Sequence, residues 1–375
     1  MKKFIDVNVF VSVLQVLIIV GVAAMFLFFL SGCEADYPHS GETVDEVPHI
    51  SLNVINRTAD SDLHVVFVPE AYTAIQMGDF LHEVSMAWEM LQQVSPYKYC
   101  LDKINVYYTT ELTSHSDTLG ISRTAFGLEE PKQYSAHADI CYDSIMSVSK
   151  RLPFPLEKTV LVVLANLRNS NLGYTLLTIP SAYQNIPQTV VIPSFFSDRY
   201  SGPAFIHEMG HAVGLLADEY YGSEEDFVFD DKMRQSIISS QEQGVYLNVS
   251  VSPDSSVVYW REFLADSFFH SEKMGIFEGG KLYPHGVWRC TENSVMRHHF
   301  QNDNYNALCR YLICKRIEQM HSGKDLTYSE WKLMDSKCPM HSVDWVGITG
   351  VKTRSNNQVE SWEGYFDYND VVIVE

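Results

Sequence analysis

The chain has 375 residues, 46% hydrophobic and 20% charged, a balance that excludes intrinsic disorder and supplies enough apolar residues for a sizeable core. Its formal charge of -20 is spread over short stretches and would repel phosphate backbones, which argues against nucleic acid as a partner. No segment repeats at a fixed period, so a solenoid or propeller is excluded and one main domain with small appendages is expected.

The N-terminus is the first informative segment. Lys2 and Lys3 form a short basic region, Phe10 to Leu30 is nearly all apolar, and Leu30-Ser31-Gly32-Cys33 closes it with small residues before a cysteine. This resembles a lipoprotein signal peptide, which implies cleavage before Cys33 and lipidation of that residue. An uncleaved membrane helix is the other reading, because the apolar run is long enough to span a bilayer. Glu34, Ala35 and Asp36 resemble the surface-export signal of Bacteroidetes lipoproteins. The expectation is an outer-membrane lipoprotein, at the cell surface or the periplasmic face, that meets the membrane through its lipid anchor. Cys100, Cys141, Cys290, Cys309, Cys314 and Cys338 would remain, an even number that permits one to three disulfides in an exported chain. Asn248-Val249-Ser250 is a glycosylation sequon without meaning in a bacterial host.

The expected layout is a signal peptide over 1–32, a tether over 33–58 holding Pro38, Gly41 and Pro48, a catalytic domain over 59–324 and a C-terminal extension over 325–375. His64 to Val68 reads as a buried strand, and Phe80, Val84, Ala87, Trp88 and Leu91 place a covering helix over Ala74 to Val94. Further strands are expected at Ile104 to Thr109, Thr159 to Leu164 and Thr189 to Ile192, with a helix at Asp139 to Arg151. The stretch from Asn166 to Thr189 reads as a long surface loop. A helix starts at Pro203 and runs to about Leu216. Tyr221 to Gly286 reads as loops with short helices, Asn306 to Met320 as a helix, and Val371 to Val374 as part of a small β appendage. Alternation of strands and helices predicts an α/β (α+β) fold with a mixed central sheet packed by helices.

His207-Glu208-Met209-Gly210-His211 lies on the helix that starts at Pro203. Residues four apart share a helix face, so both imidazoles can reach one ion, and Glu208 beside them is placed to take a proton from a water and pass it to a leaving amine. Zinc is the metal this pattern suits. A catalytic zinc site takes a third protein ligand. Asp218 is the preferred candidate and Glu219 the next, with support of a ligand histidine as the alternative role for either. In metzincins a glycine three residues past the second histidine turns the chain out of the helix, and Gly214 matches it. Ala217 stands where their third histidine would be. Asn293-Ser294-Val295-Met296-Arg297 resembles the methionine turn that packs beneath such sites, with Met296 as its methionine. His298 occupies the position that often holds a metzincin tyrosine. Arg297 is the candidate donor to the oxyanion of the reaction.

Together these segments resemble the IgA peptidase (M64) family of metallopeptidases. The resemblance runs through most of residues 61 to 321. It rests on Val65-Val66-Phe67-Val68-Pro69-Glu70-Ala71-Tyr72-Thr73, on Arg123-Thr124-Ala125-Phe126-Gly127 and on the run from His207 to Tyr220. Trp260, Phe277-Glu278-Gly279-Gly280 and Trp288-Arg289-Cys290 leading into Ser294-Val295-Met296-Arg297 follow in order. Glu70 and Ala71 depart from the family's opening turn, which carries aspartate and glycine there. The resemblance implies a metzincin-like zinc peptidase acting on proteins or peptides. Two other readings stay open: a surface lipoprotein of peptidase ancestry that binds peptides or glycoproteins without cutting them, and a zinc amidase acting on cell-wall peptides.

Overall fold

The computed structural model describes residues 48–60, 62–112, 124–127, 140–167, 173–178, 186–196, 201–225, 227–299, 304–338 and 343–349, and the backbone alone at 115–117, 120–123 and 371–374. All of them belong to the unit Pro48–Glu375, so the expected signal peptide and Cys33 lie outside the described residues. Among the described residues, no helix is long and apolar enough to cross a membrane.

In chain order the strands are β1 (Asn53–Asn56), β2 (Leu63–Glu70), β3 (Ile104–Tyr108), β4 (His115–Asp117), β5 (Gly120–Arg123), β6 (Thr159–Ala165), β7 (Tyr174–Thr178), β8 (Gln188–Pro193), β9 (Val249–Ser250), β10 (Phe277–Gly280), β11 (Tyr283–Arg289) and β12 (Val371–Val374). The helices are α1 (Met77–Gln93), α2 (Tyr142–Ser149), α3 (Ser201–Gly214), α4 (Asp231–Glu242), α5 (Arg261–Ala265), α6 (Val295–His298), α7 (Ala307–Ser322), α8 (Tyr328–Asp335) and α9 (Trp345–Thr349).

The central sheet is mixed, in the order β1-β3-β2-β6-β8-β7-β12. β3, β2, β6 and β8 are parallel, and antiparallel β1 and β7 flank them. Strands in the middle of a parallel sheet are covered on both faces and read as continuous apolar runs. Accordingly Val65 and Phe67 of β2 pack into the core that α1, α3 and α7 share, while Val66 and Val68 face the cluster that includes Ile145 and Val148 of α2. A separate small sheet, β10-β11-β9, packs with α4 through Leu215, Ala217, Ile237, Val249 and Val287.

Four expectations change. The tether is shorter than expected: Ile50 is buried and β1 pairs with β3, giving hydrogen-bond partners to an edge that would otherwise lie bare. The supposed loop after Asn166 contains β7, a fully buried antiparallel strand. Between Tyr221 and Gly286 lies α4, a regular helix hidden from periodicity because few of its residues, Ile237 and Ser240, are buried. The described residues of the C-terminal extension do not form a separate appendage. Leu326, Trp331, Val343 and Ile348 join the main core, and β12 pairs in parallel with β7.

Arg310 ties this extension down. Its guanidinium is buried and bonds Asp335 of α8 at 2.9 and 2.8 Å and Glu272 at 3.1 and 2.8 Å. Burial alone would make the guanidinium easier to deprotonate, but the two carboxylates outweigh it and raise its pKa. Arg310→Met should cost about 3–5 kcal/mol, because it strands two carboxylates without a counter-charge. A lowered urea midpoint would show this, and an unchanged midpoint would count against it.

The six cysteines after Cys33 are free thiols, so none of the disulfides that the sequence permits is formed. Cys100 and Cys314 touch, Sγ to Sγ, at 3.8 Å.

Candidate metal centre

Helix α3 carries the site, and every one of its residues is buried. A helix wrapped on all sides takes close contacts from its neighbours all round. Tyr97 Oη donates to the Met209 carbonyl at 3.0 Å, and Tyr305 Oη donates to that of Ile206. Gly210 is required by the packing: a Cβ there would stand 2.6 Å from Met296 Sδ and 2.8 Å from Tyr305 Cε1. Met296 thus packs directly against the turn between the two histidines. Gly210→Ala should cost about 1–3 kcal/mol through overpacking. Met296 can swing away but Tyr305, whose Oη is held by Ile206 and Tyr97, cannot, so Tm should fall with Gly210→Ala, and an unchanged Tm would count against it.

His207 and His211 present their Nε2 atoms to each other at 3.0 Å, and Asp218 Oδ1 lies 3.1 Å from the first and 3.2 Å from the second. Each ring is oriented from behind, His207 Nδ1 donating to the Val295 carbonyl at 2.9 Å and His211 Nδ1 to the Leu216 carbonyl at 2.7 Å. A carbonyl can only accept, so Nδ1 holds the ring proton and Nε2 of the neutral imidazole offers a lone pair. Two lone pairs and a carboxylate oxygen therefore converge on one point. Protonating one ring would relieve part of the repulsion; a divalent cation would satisfy all three atoms together. Asp218 is buried with them.

Glu208, also buried, offers a carboxylate oxygen within 4.8 Å of the imidazole nitrogens. Thr175 Oγ1, on β7, donates to its Oε2 at 2.6 Å. β7 comes this close because Gly173 precedes it, where a Cβ would meet Ile192, the Val191 carbonyl and Glu208 Cγ at 2.4, 3.0 and 3.2 Å. Reading the segment as a loop concealed Thr175; a strand reading of Tyr174-Thr175-Leu176-Leu177-Thr178 would have revealed it.

The turn that brings Asp218 back is made differently from the expectation. Leu215, at φ 52°, is the left-handed residue. Gly214 lacks a side chain for another reason: a Cβ there would lie 2.8 Å from Ile313 Cγ1 of α7. Beyond the turn, Asn248 holds Ala217 as a strand partner would, accepting from its N–H at 2.7 Å and donating to its carbonyl at 2.8 Å. The sequon asparagine is thus a fully buried backbone clamp.

Glu219 turns away from the imidazoles. Its oxygens accept from Ser294 Oγ at 2.5 Å, Asn306 Nδ2 at 3.0 Å, Asn248 Nδ2 at 3.2 Å and Cys309 Sγ at 3.3 Å, and its N–H donates to the Met296 carbonyl at 2.8 Å. It fastens the Asp218 segment to the Met296 turn and to the start of α7. Arg297 lies with its guanidinium carbon 5.5 Å from the Tyr221 ring centre, and its Nη1 donates to the Glu292 carbonyl. Among the described residues, no hydrogen bond or ion pair joins it to His207, Glu208, His211 or Asp218. Elsewhere, Ala71 takes φ 59°, in the left-handed region that favours glycine.

No curated protein matches the chain. Residues 189–268, from β8 through the histidine helix, Asp218 and α4 to the start of the turn after α5, match the model of a family of metallopeptidases described as IgA Peptidase M64.

Proposed function

We propose that this protein is a zinc-dependent peptidase with a metzincin-like site, in which His207, His211 and Asp218 hold the metal and Glu208 moves the proton. The observation that carries this reading is the convergence of two imidazole lone pairs and a carboxylate oxygen at 3.0 to 3.2 Å, inside the family-matched segment. Donors about 2.0–2.2 Å from a tetrahedral ion stand roughly 3.3 Å apart, close to these separations. Zinc bound there supplies Lewis acidity, drawing electron density from the scissile carbonyl and making a water easier to deprotonate.

The chain's own residues do the rest. Glu208 takes the water's proton at Oε1, the oxygen that Thr175 does not hold, and returns it to the leaving amine. Thr175 fixes the direction of the carboxylate, and the Val295 and Leu216 carbonyls fix the tautomers and tilt of the two imidazoles. Export and lipidation at Cys33 complete the proposal. Lys2, Lys3, the apolar run and Leu30-Ser31-Gly32-Cys33 support a lipid-anchored protein of the outer membrane that meets protein or peptide substrates outside the cytoplasm.

The test is incubation of the purified protein with a mixed peptide library, with and without a chelator, with products mapped by mass spectrometry. Chelator-sensitive cleavage restored by zinc is the expected result. No such products under any condition would overturn the peptidase reading in favour of a binding protein of peptidase ancestry.

A further inference from the structure

Among the described residues, Arg289 and Arg297 have no acidic partner. Arg289, at the end of β11, is 4% exposed, with its guanidinium carbon 5.8 Å from the Tyr221 ring centre and 5.9 Å from that of Phe277. Its Nη1 donates to the carbonyls of Glu278 and Gly279 at 2.6 Å each, which fixes the guanidinium, and its Nε is buried without a partner. Arg297, on the next turn of chain, shares the Tyr221 ring at 5.5 Å, and its buried Nε is likewise unpartnered. Both lie within the distance at which a ring face attracts a cation.

Among the described residues, no carboxylate comes within ion-pair distance of either arginine, in a chain with 47 Asp and Glu against 27 Lys and Arg. The contrast with Arg310, clasped by two carboxylates, shows how this fold treats a buried arginine with a purely structural role. Glu219 attracts Arg289 from a distance, but its oxygens are committed to Ser294, Asn306, Asn248 and Cys309. The local field is positive. His298 is brought down to about 4 by burial and then by Arg297 and Arg289. Leaving guanidinium donors desolvated and unpaired costs stability that an anionic ligand would return.

The position joins this cluster to the chemistry. Tyr220 stacks on His207 with ring centres 6.4 Å apart, and Tyr221 is the next residue. Its ring sits against Gly279, at φ 93°, where a Cβ would come within 2.3 Å, and it is 37% exposed, so the cluster reaches solvent. Arg297 directly follows Met296.

We infer that Arg289 and Arg297, on the Tyr221 ring, form a subsite that binds a carboxylate of the peptide substrate, either an acidic side chain or the free C-terminus. This rests on the peptidase reading, and the test separates the two. The probes are fluorescein-labelled octapeptides in pairs that differ only by Glu for Gln at one position, or by a C-terminal acid for an amide. Their binding to zinc-loaded Glu208→Gln protein is read by anisotropy. One acid should bind roughly 10-fold or more tightly than its amide counterpart, the gain expected from charge-assisted bonds. Which pair shows it identifies the source of the carboxylate. Adding Arg297→Gln or Arg289→Gln should remove the preference while zinc content and Tm hold. Should Arg289→Gln unfold the chain through its lost carbonyl bonds, Arg297→Gln alone decides. Equal binding of every acid and amide, or a preference that survives the substitution, overturns the subsite. Failure of the wild-type protein to cut anything in the mixed peptide library overturns the peptidase reading instead, since binding is measured on its own.

Discussion

Glu208→Gln should lower kcat/KM for peptide cleavage by roughly 10²–10⁴-fold while the protein stays folded and keeps its zinc. Gln has the shape of Glu, and its amide oxygen can still accept the Thr175 hydroxyl that holds Oε2 at 2.6 Å. What it lacks is a basic site for the water's proton. The metal should be retained because the three converging atoms belong to His207, His211 and Asp218. Cleavage is measured on a peptide drawn from the library, and zinc stoichiometry by plasma emission on the same sample. Undiminished cleavage would remove Glu208 from the mechanism. Loss of zinc together with activity would make it a ligand.

A pair of neighbouring substitutions separates the two acidic residues that follow the histidine helix. Asp218→Asn should reduce zinc affinity well beyond the roughly 10–100-fold that loss of a supporting residue costs, because it removes a charged donor atom. Glu219→Gln should do something different. Its side chain accepts from Ser294, Asn306, Asn248 and Cys309, so an amide would bring a donor against donors, at a cost of about 1–3 kcal/mol in folding stability. Zinc affinity should then fall no further than the supporting-residue range. Competition against a chelating dye and urea unfolding of the zinc-saturated protein read the two effects separately. The reverse order, with Glu219→Gln losing the metal and Asp218→Asn keeping it, would exchange their roles.

Much of the framework was legible in the sequence because it is periodic. The β-branched runs became β2, β3, β6 and β8, the apolar spacings became α1 and α7, and the helix read from Pro203 became α3, each at nearly the expected place. Where polarity and burial diverged, the reading failed. α4 is polar on most of its surface, and the strand β7 hides between glycine- and proline-bearing segments that look like a loop. Glycines misled in another way. Gly214 suggested a left-handed turn, yet the left-handed residue is Leu215, and Gly214 instead admits Ile313.

Sequence by itself determined the pairing of His207 with His211 and the place of Glu208 beside them, since helical spacing within one turn is a local property of the chain. Tertiary structure alone decided which acid faces the two imidazoles. Asp218 and Glu219 are adjacent and chemically alike, and their opposite directions follow from the Leu215 turn, the Asn248 clamp and the hydrogen bonds of Ser294 and Asn306. Thr175 on Glu208, Met296 against Gly210 and the two arginines on Tyr221 are likewise contacts between segments distant in the chain. A short-range pattern cannot encode such meetings, because they are set by how whole elements pack around a shared core.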